Sequence, residues 1–347
     1  MNSLRIGYIL SALLAGLFFV SFAIPYEEQI KYQLTSEFQL QDAAYVEEIE
    51  SFYEKGFEGY FTGKADVEIY YKIFKQPNPE SAAILISSGR TEAAIKYKEV
   101  IFDLYNNGYS IYIHDHRGQG LSGRMTEDPD MGYVDTFQFY IDDMKYFYDN
   151  YLLKGKHKKK YLLAHSMGGA IGVSYLIQHP EDFNAAAFSS PMLGFIAATC
   201  KATKLLKGPD PKYAIGQDQY NDDKLSFKKN KLTGCEIRYN RMNEAFAKVK
   251  RARLGGATYQ WLYKSCQQFD YISSNIKSIQ TPFILFSAQK EKIVSRKAHK
   301  QFIEEAISLG KNCELIELEN AMHEILIESD EIRNKTMNQT LELFEKY

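Results

Sequence analysis

Ala164-His165-Ser166-Met167-Gly168-Gly169 lies between two apolar segments of different character. Tyr161 to Ala164 reads as a buried strand, and Met167 to Gln178 as a helix ending at His179-Pro180. A serine flanked at the second position on either side by a small residue, where a strand runs directly into a helix, predicts a sharp turn that lifts the Ser166 hydroxyl clear of a sheet. The small residues are a steric demand, because strand and helix nearly collide there. Ala164 meets that demand where glycine is commoner. Glycine makes up about 7% of residues in general, so small-x-Ser-x-Gly alone is a weak signal. The strand–turn–helix setting gives it weight, and Ser166 is the candidate nucleophile.

Outward from this turn, strands and helices alternate. Val67 to Ile73 alternates like a half-buried strand, and Ala82 to Ser87 is a continuous apolar run like one covered on both faces. Tyr109 to Ile113, Ala185 to Phe188, Phe283 to Phe286 and Cys313 to Leu318 complete the expected strands. A helix is expected from Ile95 to Asn106. A second carries the stripe Phe137, Tyr140, Ile141, Met144, Phe147, Tyr148 and Tyr151, with Asp135 as its cap. Tyr26 to Tyr60 is expected to be helical in part, with Phe38, Val46, Ile49 and Phe52 facing inward. This order predicts an α/β fold: a mostly parallel sheet with helices on both faces. Residues 25–191 and 281–347 carry the alternation. Residues 192–280 have no buried-strand signal and read as a helical cap over the active edge. Within them, residues 200–256 hold 14 Lys and Arg against six Asp and Glu, whereas the 347-residue chain balances 42 against 44.

A serine hydroxyl needs a base. For this turn the chain order is serine, then acid, then histidine. His114, His116 and His157 precede Ser166, and His165 adjoins it. His179 ends the nucleophile helix and His299 lies within another helix. His323, in a loop after the final strand, is left as the base. The acid is expected after the strand ending at Phe286, where Glu291 lies. Glu317 and Glu319 are rivals within or at the end of the last strand. The backbone N–H of Met167, next to the nucleophile, and that of Arg90, in the loop Ser88-Gly89-Arg90, are the expected oxyanion donors.

Other functions are disfavoured. The near-neutral charge gives no reason to expect a nucleic-acid partner. Gly118-Gln119-Gly120-Leu121-Ser122-Gly123 matches a dinucleotide pattern, but no helix opens at it, so no nucleotide is expected. Cys200, Cys235, Cys266 and Cys313 show no C-x-x-C spacing, and neither a metal nor another cofactor is expected. Their pairing is not decided by spacing. Arg5 followed by the uncharged run Ile6 to Tyr26 reads as a signal peptide or membrane anchor over residues 1–24. The expected location is therefore membrane-associated, with the body outside the cytoplasm, either periplasmic or anchored in the inner membrane facing out.

The chain resembles the bacterial lysophospholipases of the monoglyceride-lipase-like, serine-aminopeptidase-type group of α/β-hydrolases. The resemblance runs from about Gly59 to the C-terminus. It rests on Gly89-Arg90, on Asp115-His116-Arg117-Gly118-Gln119-Gly120-Leu121-Ser122-Gly123-Arg124, on the Ser166 turn and on Met322-His323-Glu324-Ile325-Leu326. Matches within the cap, at Tyr213-Ala214-Ile215-Gly216 and Leu254-Gly255-Gly256-Ala257-Thr258-Tyr259-Gln260-Trp261, are the more discriminating ones. The resemblance implies an α/β-hydrolase fold with a Ser166–His323–Glu291 triad. It implies hydrolysis of lysophospholipids at a membrane surface, with monoacylglycerols or simple esters as alternative substrates. A non-catalytic binding protein of the same fold is the reading from another class.

Overall fold

The computed structural model describes residues 31–196, 199–222 and 226–347. Tyr32 to Tyr347 form one compact unit. At its centre are strands β1 (Phe57–Thr62), β2 (Glu68–Phe74), β3 (Ala83–Ser87), β4 (Ser110–His114), β5 (Lys160–His165), β6 (Ala185–Ser189), β7 (Phe283–Ala288) and β8 (Cys313–Leu318). They form one sheet in the order β1-β2-β4-β3-β5-β6-β7-β8. β2 runs antiparallel to β1 and β4, and all other neighbours are parallel.

Side chains alternate across a strand, so each central strand feeds two cores. Ala83, Leu85, Leu162 and Ala164 join Met144, Phe147, Ile171 and Phe302 on one face. Ile84, Ile86, Tyr161 and Leu163 join Ile101, Leu104, Met337 and Leu341 on the other. The helices that supply these partners are α2 (Lys98–Asn106), α3 (Gln138–Phe147), α4 (Met167–Gln178), α8 (Arg296–Ser308) and α9 (Asp330–Lys346). Burial on both faces is why β3 to β7 read as apolar runs.

Three details differ from the sequence reading. β1 lies at the sheet edge, where Phe61 alone is buried, so it carries no apolar run to find. Phe38 is 82% exposed, because the helix behind it, α1 (Ala43–Glu54), starts only at the Asp42 cap and buries Ile49 and Tyr53. Asp135 does not cap α3. It accepts a hydrogen bond from the Tyr133 hydroxyl, and the helix begins three residues later.

Between β6 and β7 the described residues contain helices α5 (Thr199–Leu206), α6 (Glu236–Lys248) and α7 (Tyr259–Asn275), and no strand. A disulfide joins Cys200 of α5 to Cys266 of α7. Arg238 of α6 ties the insertion to the sheet-bearing body. It donates to Glu99 of α2 at 2.9 Å, to Asp330 of α9 at 2.7 Å and to the Glu328 carbonyl at 2.7 Å, all around a nearly fully buried guanidinium.

The expected anchored location outside the cytoplasm does not hold. Among the described residues no helix is long and apolar enough to cross a membrane. The most apolar helix, α4, has 12 residues, whereas a span takes about 20. The leader read in residues 1–24 lies outside the described residues.

Candidate active site

The turn after β5 is as sharp as its sequence implies. Ser166 has φ 50° and ψ −117°, a left-handed backbone rare for a residue with a β-carbon. Such strain persists only where the surroundings enforce it. Here they do: a β-carbon at Gly168 would collide with the carbonyl oxygens of Ser87 and Ser88, and one at Gly169 with Pro191. The two glycines let α4 start against β3 and the end of β6. Ser166 thereby stands above the sheet, 7% exposed.

His323 and Glu291 come to it from two other loops. His323 Nε2 lies 2.9 Å from Ser166 Oγ, and His323 Nδ1 lies 2.7 Å from Glu291 Oε2. The Glu291 side chain is fully buried. Burial alone would raise its carboxyl, but the hydrogen bond and charge of His323, with the Ile293 and Val294 N–H groups, hold it below the ordinary value. Glu291 therefore stays ionised and fixes the Nδ1-protonated tautomer, leaving Nε2 free to accept the serine proton. The rival Glu317 is taken up at the surface by Arg296 at 2.6 Å and Lys300 at 3.1 Å. His299 is a core histidine. It lies between Ser287 Oγ at 2.8 Å and the Pro191 carbonyl at 2.7 Å, and burial lowers it to about 4.

Met167 is the first residue of α4, so its N–H has no carbonyl one turn back to bond. β3 and β5 pair in parallel, with Ser87 opposite Ala164, which puts the loop after β3 beside the serine turn. Arg90 sits in that loop. A cavity of about 690 Å³ opens over Ser166 and His323, with Arg90 also in its wall. Met192, Phe195, Leu206, Phe246, Trp261 and Leu262 make the wall largely apolar, and all six come from the insertion. The arrangement provides an alcohol, its base, an ionised carboxylate and an apolar chamber, the parts needed for acyl transfer from an ester.

A buried polar cluster beneath the site has no counterpart in the sequence reading. The Lys96 ammonium bonds both the Glu92 and Glu324 carboxylates. Glu92 also accepts from the Gly89 N–H at 2.6 Å and the Tyr97 hydroxyl at 2.5 Å. His165 Nε2 lies 3.1 Å from Glu324 Oε2. Burial opposes charge on both His165 and Lys96, but the two carboxylates raise each above its ordinary value. Glu324 is pulled well down, against its own burial, by Lys96 and His165. The available signal was the Glu92-x-x-x-Lys96 spacing at a helix start, together with a charged neighbour to His323. His165, His323 and Glu324 also bring metal-type ligand atoms within 4.8 Å of one another, but Lys96 already occupies that carboxylate as its cation.

The glycine-rich loop serves a different end from phosphate binding. Gly118 and Gly120 have positive φ and fold the chain back over Asp115. Asp115 accepts from the Ala94 and Leu121 N–H groups, each at 2.7 Å, and the Ser122 hydroxyl donates to its carbonyl. The next helix is α3, at Gln138.

Comparison with known proteins bears on the family and the fold. Lysophospholipase L2 of Escherichia coli is 32% identical over 307 residues, covering 85% of this chain and 89% of that one. Probable lysophospholipase L2 of Haemophilus influenzae is 32% identical over 299 residues, covering 84% and 92%. A soluble variant of the monoglyceride lipase of Saccharomyces cerevisiae, solved with a substrate analog, superposes with a TM-score of 0.65 at 18% identity, covering 84% and 96%. That likeness shows the fold, an α/β-hydrolase, and the relatives mark the chain as a serine ester hydrolase. The family model described as serine aminopeptidase, S33, matches residues 78–330, and the chain belongs to that family of α/β-hydrolases.

Proposed function

We propose that the chain is a lysophospholipase in which Ser166 is the nucleophile, His323 the general base and acid, and Glu291 the group that orients His323. The observation that carries this reading is the unbroken Glu291–His323–Ser166 line at the floor of an apolar cavity. Residues 192–280 act as the cap that receives the acyl chain. As Ser166 Oγ bonds to the ester carbonyl carbon, His323 Nε2 takes the hydroxyl proton. The carbonyl oxygen becomes an oxyanion held by the N–H groups of Met167 and Arg90, each worth about 3 kcal/mol to the transition state. Collapse breaks the bond to the glycerol oxygen, which leaves with the proton from His323. Water then attacks the acyl-serine and gives a proton to His323. The fatty acid departs, and Ser166 recovers its proton.

The chain should react covalently with a fluorophosphonate probe. Ser166→Ala should abolish labelling and reduce turnover by up to about 10⁶-fold. Labelling that survives this substitution would reject the nucleophile. The lipase relatives make monoacylglycerol the second candidate substrate, and rates on lysophosphatidylglycerol, monoolein and a short nitrophenyl ester separate the readings. The basic insertion, with Leu206 and Ile215 exposed beside the cavity, meets the lipid surface that delivers substrate. Rising salt should therefore slow turnover in anionic micelles more than in neutral ones.

A further inference from the structure

Among the described residues, the cavity over Ser166 holds one cation with no counter-charge. Lys96 is bonded to Glu92 and Glu324, and Arg253 to Asp222 at 3.1 Å. Arg90 is in no ion pair among the described residues. Its Nη2 donates to the Gly255 carbonyl at 2.7 Å, and its guanidinium lies 5.1 Å from the Trp261 ring centroid. Its Nε is buried with no partner. Burial lowers it to about 10, partly offset by Tyr140 and Tyr213, so it is still protonated at neutral pH. A desolvated guanidinium without an acid is costly to the fold, and a donor left unbonded adds to that cost. The missing counter-charge is supplied when an anion with several acceptor oxygens enters, and the planar guanidinium fork suits a phosphate.

We infer that the Arg90 side chain is the site for the headgroup phosphate of the substrate, and that it sets the preference for lysophospholipid over monoacylglycerol. This rests on the lysophospholipase reading above. In a 1-acyl lysophospholipid only the glycerol backbone separates the scissile ester from the phosphodiester. A phosphate site must therefore share the nucleophile's chamber, as Arg90 does. Trp261 and Gly255 come from the insertion, so the guanidinium is held where cap and sheet loop meet. The acyl chain takes the apolar wall and the headgroup takes the Arg90 side.

The test compares kcat/KM on 1-oleoyl lysophosphatidylglycerol and on monoolein, in the same neutral micelles. Any effect on the backbone donor of Arg90 is common to both substrates and cancels in their ratio. Arg90→Met should lower the lysophosphatidylglycerol-to-monoolein ratio by about 10- to 100-fold, the usual loss for a charged hydrogen bond. Arg90→Lys, which keeps the charge but not the fork, should restore only part of it. A ratio that stays within about threefold of wild type in both variants would overturn the phosphate site while leaving the lysophospholipase reading intact. Wild-type turnover of monoolein without lysophosphatidylglycerol would instead overturn that reading, and this inference with it. Should Arg90→Met fail to fold, competition on the wild type decides. Glycerophosphoglycerol should inhibit nitrophenyl ester hydrolysis at least about tenfold better than glycerol. Equal inhibition rejects the site, and inorganic phosphate matching glycerophosphoglycerol would assign it to free phosphate rather than a lipid headgroup.

Discussion

Glu291 illustrates how a single side chain acquires a pH signature. Its folded carboxyl lies below the ordinary 4.5 because His323 and two N–H groups outweigh its burial. A carboxyl lowered by folding contributes stability that is complete above the unfolded value and lost as pH falls through the folded one. Glu291→Gln should therefore melt below wild type at pH 7 and converge with it as pH falls through the lowered value of the carboxyl. Turnover at pH 7 should fall by up to about 10⁴-fold, because the amide no longer holds the required tautomer. Scanning calorimetry across that range and steady-state rates on monoolein check both. That Ser166, His323 and Glu291 would meet was legible because each follows a strand in a fixed chain order. Lys96 was not. The Glu92-x-x-x-Lys96 spacing hints at one ion pair, but nothing in a sequence shows that this lysine will also be buried against Glu324, 228 positions away.

Among the elements, the insertion depends most on its covalent tie. Cys200 and Cys266 are 66 residues apart and join α5 to the long helix α7, both of which line the cavity. Replacing both by serine should cost about 2–5 kcal/mol, whether the loss is assigned to chain entropy or to solvation of the unfolded state. Urea unfolding gives the magnitude, and faster limited proteolysis within residues 199–275 shows where the loosening lies. The elements themselves were readable in proportion to their burial. β3 to β7 announced themselves as apolar runs, and α4 matched its expected span because the small residues at its start admit no other register. β1 escaped because a sheet edge of mixed exposure has no period to detect, and the α3 boundary slipped because Asp135 found a tyrosine instead of a helix end.

Across the whole molecule, the Lys96 cluster joins parts of the chain that carry different duties. Glu92 holds the loop after β3, His165 the strand end before the nucleophile, and Glu324 the loop of His323. Removing the lysine strands two buried carboxylates. Lys96→Met should destabilise the protein by about 3–5 kcal/mol in denaturant unfolding, and turnover should fall with the loss of alignment. A surface-like loss below about 1 kcal/mol would argue that water already reaches the cluster. The parallel sheet with helices on both faces followed from the strand–helix alternation. The location outside the cytoplasm was drawn from a leader alone, and the described helices give it no support.

The insertion between β6 and β7 lacks all three side chains of the proposed triad: Ser166 follows β5, Glu291 follows β7 and His323 follows β8. Most of the apolar wall of the cavity and the proposed hydrolytic side chains are thus written in separate stretches of chain. A lineage that rewrites the first can adopt a new ester, or an amide, while inheriting the second intact. One scaffold can in this way carry names as unlike as aminopeptidase and lipase.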